Sequence, residues 1–277
     1  MAGFDMHTHT NLSDGTTTPE QNVADAIAHG LEGLAVTDHD TTAGFARSFA
    51  AAEGTGLTIV PGTEFSAEHD GYSVHVLGYW VDPNNQALQT EMDRLRNERY
   101  HRAEQIVEKF QRLDVPVSFE RVKELAAEAP IGRPHIAAAV VETGAVETTR
   151  EVFDRYLADG GPAYVEKHAV DPVRAVELLV GAGGVAVLAH PGLYGAREGV
   201  DGIADEVVEQ MVQAGLAGIE ADHPDHTDEH RRQYRDLGKG LQLVITAGSD
   251  YHGEAKTNQL GAATTSREAV EQLQSRR

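Results

Sequence analysis

Short apolar segments alternate with segments of helical periodicity over most of this chain, and this alternation limits its fold more than any other feature. Apolar runs near Met6, Thr37 and Pro61 each end in polar residues, and helical patterns follow the first two. Strands separated by helices favour a parallel sheet, because a parallel connection needs a crossover of about a dozen residues or more. The pattern predicts an α/β protein, and its repetition favours a barrel of βα units.

The alternation stops between about residues 84 and 163, where helical patterns dominate. It resumes after Asp171, whose Asp-Pro pair is typical of the start of a helix. We therefore interpret residues 1–83 and 164–277 as one barrel domain. Residues 84–163 are interpreted as a helical insertion subdomain.

Charge and composition exclude several kinds of protein. The 277 residues include 44 Asp and Glu against 23 Lys and Arg, a formal net charge of −21, and no cysteine. This charge disfavours binding of long nucleic acid in a basic groove and electrostatic attachment to an anionic membrane. Without cysteine we expect neither disulfides nor a thiolate zinc site. No apolar run is long enough to span a membrane and no signal-peptide pattern follows Met1, so we expect a cytoplasmic protein.

Histidines and carboxylates recur where the predicted strands end, and the chain has 14 histidines in all. His7 and His9 are separated by one residue, so in an extended segment both side chains point to the same side and can bind one ion. The other candidates, in chain order, are Asp14, His39, Glu64, His75, His190, Asp250 and His252. We expect them to meet at the barrel mouth, where the strands have their carboxyl ends.

So many titratable side chains at one barrel mouth favour a metal centre. Burying each of these side chains without a partner would cost several kcal/mol, and divalent cations would supply charge that compensates the buried carboxylates. Imidazole and carboxylate ligands without thiolate suit Mn²⁺ first, with Fe²⁺ or Zn²⁺ as alternatives. The candidates are too numerous for one ion, so we expect two or three divalent ions.

Together these motifs resemble the polymerase and histidinol phosphatase (PHP) family. His7-x-His9, Asp14, Thr37-Asp38-His39, Glu64, His75, His190 and Asp250-x-His252 occur in the family's order. The resemblance implies a distorted (β/α)7 barrel with a trinuclear metal centre at its mouth. By the family's pattern, His7, His9, Glu64 and Asp250 would hold one ion, Asp14, His39 and His252 the second, and Glu64, His75 and His190 the third.

The insertion resembles one branch of that family, which contains 3′,5′-nucleoside bisphosphate phosphatases and 5′→3′ exoribonucleases. The resemblance rests on Gly132-Arg133-Pro134-His135-Ile136-Ala137 and on Tyr164-Val165 with Lys167. At the start of a helix, Arg133 and His135 can bind a phosphate through charge and backbone amides. Arg133 could instead pair with a nearby carboxylate, and Lys167 could simply be exposed.

His223 lies at the end of another predicted strand and has two catalytic interpretations. It could protonate the leaving oxygen as a general acid, or it could bind a substrate phosphate; a supporting or surface role is the alternative to both. We therefore predict catalytic roles for His223 and Arg133. Phosphate binding is predicted for Arg133, His135, Lys167 and His223.

The resulting hypothesis is hydrolysis of a small phosphorylated substrate by a hydroxide shared between metal ions. The substrate would be a nucleoside 3′,5′-bisphosphate or a short 5′-phosphorylated RNA, since bound ions make an otherwise acidic pocket locally cationic. The alternatives are a small-metabolite phosphatase, as for histidinol phosphate, a C–N bond hydrolase, and a non-catalytic metal-binding module. The Gly-Arg-Pro-His segment argues against the first, the lack of a strand-end lysine against the second, and the full ligand set of a free-standing chain against the third.

Overall fold

A computed structural model describes residues 3–126, 131–158, 160–165, 170–194 and 202–277. The chain divides into two units, one formed by Met1–Met92 with Ala169–Arg277 and the other by Asp93–His168. The helical insertion was predicted at residues 84–163. That these residues form a subdomain of their own stays a prediction.

A seven-stranded sheet, with its strands in chain order, forms the framework of the first unit. The strands are Phe4–Asp5 (β1), Gly33–Val36 (β2), Thr58–His69 (β3), Tyr72–Tyr79 (β4), Val185–Leu188 (β5), Leu216–Asp222 (β6) and Val244–Ala247 (β7). Strands β1 to β3 are mutually parallel, as are β5 to β7, whereas β4 is antiparallel to both of its neighbours. The fold is an α/β barrel that is nearly closed, which confirms the predicted fold class.

Strand β4 departs from the expected alternation of strand and helix. A tight turn at Asp70 and Gly71, with φ of 48° and 85°, joins β3 directly to β4 as a hairpin. Strand β3 also continues to His69, well beyond its predicted end near Pro61. Because β4 runs in the opposite direction, its first half reaches the barrel mouth, and His75 lies there rather than at a strand end.

Ten α-helices accompany the sheet in the described residues. They are Pro19–Ala28 (α1), Phe45–Ala52 (α2), Gln86–Arg112 (α3), Phe119–Ala126 (α4), Arg133–Glu142 (α5), Thr149–Val152 (α6), Pro172–Gly181 (α7), Asp205–Gln213 (α8), Asp228–Gly240 (α9) and Arg267–Gln274 (α10). Asp171 caps α7 as predicted, since its side chain accepts a hydrogen bond of 2.9 Å from the Val173 amide. None of these helices combines the length and the apolar character that crossing a membrane requires.

Each unit has an apolar core of its own. In the first unit, one buried cluster contains residues of all seven strands: Phe4, Ala35, Val60, Leu77, Tyr79, Val185, Val187, Ala217 and Val244. In the second unit, α3, α4 and α5 pack their apolar faces together around Phe110, Val122 and Ile136. A core drawn from every strand fills the barrel with apolar side chains, so polar side chains are left to the strand ends.

Asp5 joins the first strand to the chain that follows the last strand. Its buried carboxylate accepts hydrogen bonds from the amides of Ser249, at 2.9 Å, and Gly261, at 2.8 Å. Burial raises the pKa of Asp5 to about 6, although these amides favour its charged form. Isolated bridges, such as the one between Phe4 and Thr265, are the backbone pairing on this side of the barrel. Asp5 therefore adds side-chain hydrogen bonds to the backbone bridges that close the barrel on this side.

We expect Asp5→Ala to lower the free energy of unfolding by roughly 2–5 kcal/mol, because it leaves the buried amide of Ser249 and the half-buried amide of Gly261 without their acceptor. Chemical denaturation of the metal-free protein measures the change. Asp236→Ala is the matched control, since that side chain is 77% exposed and its loss should change stability by less than about 0.5 kcal/mol. Equal effects of the two substitutions would show that Asp5 does not close the barrel.

Candidate metal centre

Glu64 lies buried at the centre of the barrel mouth, on β3. Five imidazole nitrogens lie within 3.3 Å of its two carboxylate oxygens. Oε1 faces His75 Nδ1 (2.8 Å) and His190 Nε2 (3.0 Å), whereas Oε2 faces His39 Nδ1 (3.1 Å), His9 Nε2 (3.2 Å) and His7 Nε2 (3.3 Å). The carboxylate therefore has two separate histidine environments, one at each oxygen.

Two further carboxylates lie on either side of this arrangement. Asp250 Oδ1 is 3.3 Å from His9 Nε2 and 3.6 Å from His7 Nε2. Asp14 Oδ1 is 3.2 Å from His252 Nε2 and 3.5 Å from His9 Nδ1. The structure thus brings all nine side chains that the sequence nominated as ligands into one cluster.

The cluster contains four overlapping groups of side chains. Within each group, the potential ligand atoms lie within 4.8 Å of one another. The groups are His9, Asp14, His39 and His252; His7, Glu64 and His190; His7, His9 and Asp250; and His39, Glu64 and His75. Compared with the sets implied by the family resemblance, His9 also joins the Asp14 group, and His39 also lies beside Glu64. Because some side chains belong to two of these groups, the arrangement suits a centre in which neighbouring ions share ligands.

The nitrogens of the cluster are poorly satisfied as hydrogen-bonding groups. The Nδ1–H of His7 donates to Glu220 at 3.2 Å, and its Nε2 faces the carboxylates of the cluster. His252 Nδ1 likewise donates to the Asp250 carbonyl at 2.8 Å. In the part of the chain that the structure describes, Nδ1 of His39, His75 and His190 and Nε2 of His252 are buried without a hydrogen bond. Of these nitrogens, those of His39 and His75 face Glu64 and that of His252 faces Asp14, and buried ring nitrogens beside carboxylates fit divalent cations.

Electrostatics at the barrel mouth also favours added positive charge. Burial alone would lower the pKa of His7, but Glu220 and other carboxylates outweigh it and hold that pKa well above its usual value. Burial lowers the pKa of His190 to about 4 and that of His39 well below its usual value. His39 and His190 are therefore neutral near pH 7, with lone pairs available to a metal ion.

Glu220 is a functional residue to which the sequence analysis gave no role. Glu220 lies on β6. Its carboxylate accepts one hydrogen bond from His7 Nδ1–H and another, of 2.9 Å, from the backbone N–H of His190. It therefore orients two candidate ligands, as carboxylates behind metal-bound histidines commonly do. Residue type alone does not separate a carboxylate that binds an ion from one that orients a histidine.

Backbone conformation at two candidate ligands is uncommon for residues with a side chain. His190 has φ of 23° and Asp250 has φ of 52°, and such conformations concentrate at functional sites. Nearby, a Cβ on Gly248 would lie 2.3 Å from His7 Cβ and 2.6 Å from Glu220 Oε1. The approach of β7 to the His7–Glu220 pair therefore requires glycine at this position.

His223 and Lys256 lie at the edge of the cluster, beside the second oxygen of Asp250. His223 Nε2 is 3.4 Å from Asp250 Oδ2, and Lys256 Nζ is 2.6 Å from the same oxygen. The amide of Asp225 donates to His223 Nδ1 at 3.1 Å, so the proton of the neutral ring is on Nε2. His223 was predicted from the sequence, whereas Lys256 was not, because it lies in a loop beyond the last motif and belongs to no recognisable pattern.

Two of the predicted phosphate-binding residues, Arg133 and His135, lie on α5 in the second unit. Arg133 begins α5, and its guanidinium lies 5.9 Å from the centre of the Phe153 ring. His135 Nδ1 accepts a hydrogen bond of 3.1 Å from the Gly132 amide and so helps to cap this helix. Lys167 lies outside the described residues. The roles of these three residues stay predictions.

Sequence comparison relates the chain to known phosphoesterases. Residues 5–106 match the PHP domain family. The chain is 33% identical over 253 residues to a 3′,5′-nucleoside bisphosphate phosphatase from Chromobacterium violaceum, an alignment that covers 91% of this chain and 88% of the relative. It is 30% identical over 260 residues to the 5′-3′ exoribonuclease Rnm of Escherichia coli, with coverage of 93% and 88%.

Structural comparison extends this relationship over the whole fold. A solved structure from Bifidobacterium adolescentis, described as a candidate metal-dependent phosphoesterase, matches with a TM-score of 0.89 and 34% identity. The match covers 99% of this chain and 96% of the other. Similarity of this extent, together with the cluster around Glu64, shows common descent rather than a common fold alone. The chain belongs to the PHP family of metal-dependent phosphoesterases.

Proposed function

We propose that this enzyme hydrolyses phosphate esters of nucleotides, acting on nucleoside 3′,5′-bisphosphates or on the 5′ end of short RNA. The observation that carries the proposal is the cluster of nine candidate ligand side chains, in which eight histidines and aspartates surround the buried Glu64. The names of the relatives from C. violaceum and E. coli support these two substrate classes. Because those classes differ, the choice between them is left to experiment.

In this proposal the overlapping groups of the cluster hold two or three divalent ions, with Mn²⁺ as first choice. The side chains that would hold them are His7, His9, Asp14, His39, Glu64, His75, His190, Asp250 and His252. Bound divalent ions supply positive charge that lowers the pKa of water and offsets negative charge on a phosphoryl group. The cluster carries three carboxylates, so ions with a total charge of about +4 to +6 would make the mouth cationic. A chain of net charge −21 can then accept a small phosphate ester.

His223 acts in this proposal as a hydrogen-bond donor to a phosphoryl oxygen. Its Nδ1 already accepts the Asp225 amide proton, so the neutral ring presents Nε2–H beside Asp250. A general acid would need protons on both nitrogens, and a proton on Nδ1 would face the Asp225 N–H. This contact favours the phosphate-binding interpretation of His223 over the general-acid interpretation.

A panel of substrates tests the proposed function. Protein stripped by a chelator and then loaded with Mn²⁺ is assayed with adenosine 3′,5′-bisphosphate, a short 5′-phosphorylated RNA and histidinol phosphate. We expect no hydrolysis before loading, and afterwards a kcat/KM for a nucleotide substrate at least about 100-fold above that for histidinol phosphate, roughly 2.7 kcal/mol of discrimination. Preference for histidinol phosphate would support a metabolite phosphatase, and no turnover of any substrate would support a non-catalytic module.

We expect Glu64→Gln to lower kcat by about a thousandfold or more, because the amide has half the carboxylate's oxygens and none of its charge. The same change should lower the number of Mn²⁺ ions bound per chain, measured by mass spectrometry. Glu68→Gln, four residues along the same strand, is the matched control and should change neither quantity. Full metal content in the Glu64 variant would remove the basis of the proposal.

Replacing His223 separates hydrogen bonding from proton donation. We expect His223→Leu to lower kcat/KM by about 10- to 100-fold, because a donor to a charged oxygen is lost, and His223→Gln to recover part of that loss. Rates are compared for phosphate esters with good and poor leaving groups. A defect that disappears with the good leaving group would identify His223 as the general acid instead.

A further inference from the structure

Lys256 places an ammonium group at the edge of the candidate metal centre. Its Nζ lies 2.6 Å from Asp250 Oδ2, and the Nε2 of His223 lies 3.4 Å from the same oxygen. The other oxygen, Oδ1, faces His7 and His9. Asp250 thus separates two environments: candidate metal ligands on one side, and two hydrogen-bond donors on the other.

The donors of this second environment differ in their access to solvent. The His223 side chain is fully buried, and its Nε2 makes no hydrogen bond in the described part of the chain. The Lys256 side chain is 42% exposed, so a ligand can reach its ammonium group from solvent. Lys256 lies just after a short 3₁₀ turn, Gly253–Ala255, which begins directly after His252.

We propose that Lys256, together with His223, binds a phosphoryl oxygen of the substrate, which makes Lys256 a specificity-determining residue for the reaction. This inference rests on the proposed phosphoesterase function. An ammonium group carries three donors, of which Asp250 takes one, and a substrate with its phosphorus near the metal ligands would present oxygens to the others. When an ion shares the charge of Asp250, the attraction between that carboxylate and Lys256 weakens, and the ammonium group can turn towards the phosphoryl group.

A purely structural role for Lys256 predicts different behaviour. If Lys256 only fixes the orientation of Asp250, its loss should weaken metal binding and lower kcat, and the affinity for phosphate should fall only as metal is lost. If Lys256 binds substrate, metal content should stay constant while the affinity for phosphate falls. Metal content and phosphate affinity therefore separate the two roles without any measurement of turnover.

The test uses Lys256→Met, Lys256→Arg and the control Lys239→Met, whose side chain pairs with Asp236 and is 69% exposed. For each Mn²⁺-loaded variant, metal content is measured by mass spectrometry and the Kd of inorganic phosphate by calorimetry, followed by KM and kcat. We expect Lys256→Met to raise the phosphate Kd and KM by about 10- to 100-fold with metal content unchanged, the loss of one charged hydrogen bond. Lys256→Arg should recover most of the affinity, and Lys239→Met should match the wild type.

Two results would overturn the inference. One is a phosphate Kd and KM in Lys256→Met equal to those of the wild type. The other is a loss of bound Mn²⁺ in that variant, which would make Lys256 a positioning residue for Asp250. Failure of the wild-type protein to hydrolyse any phosphate ester would instead contradict the proposed function, while the phosphate Kd would still report on Lys256.

Discussion

The contact between the buried carboxylate of Glu64 and five imidazoles is the constraint on which the rest of the site depends. Removing a carboxylate from water costs several kcal/mol unless opposite charge or hydrogen bonds compensate it. Among these five imidazoles, burial lowers the pKa of His39 and His190, so both rings are neutral near pH 7 and have lone pairs available to a metal ion. The arrangement therefore favours bound cations. The fold serves this requirement, since the antiparallel β4 turns back from β3 and brings His75 to the Oε1 side of the same carboxylate.

Polar groups behind the candidate ligands hold them in place. Asp38 accepts hydrogen bonds from the Thr10 amide and the Ser13 hydroxyl, both at 2.7 Å, and so fixes the loop that leads to Asp14. The Tyr194 hydroxyl accepts the backbone N–H of His75 at 3.0 Å and donates to the Ala189 carbonyl, which joins the two strands next to His75 and His190. Such contacts preset the ligand positions before any ion binds, which limits the entropy lost on binding.

The sequence predicted the fold class and the membership of the cluster because both depend on short-range patterns. The two-residue period of His7 and His9 and the recurrence of polar residues at strand ends need no knowledge of tertiary structure. The β3–β4 hairpin was missed although Asp70-Gly71, with positive φ at both residues, is a typical two-residue hairpin turn. The prediction ended β3 near Pro61, and the strand that continues to His69 was not recognised. The role of Glu220 depends on its contact with His7, which lies 213 residues away in the chain, and local patterns do not encode such a contact. Lys256 contacts Asp250, six residues before it, but it lies in a loop that has no recognisable pattern.

Anomalous X-ray diffraction from crystals grown with Mn²⁺ tests the central claim most directly, because it locates the ions themselves. We expect at least two anomalous peaks inside the cluster, one of them within about 2.5 Å of a Glu64 oxygen, as expected for ions coordinated by oxygen and imidazole. A Mn²⁺-loaded crystal with no peak beside Glu64, or with ions bound only elsewhere on the barrel, would contradict it.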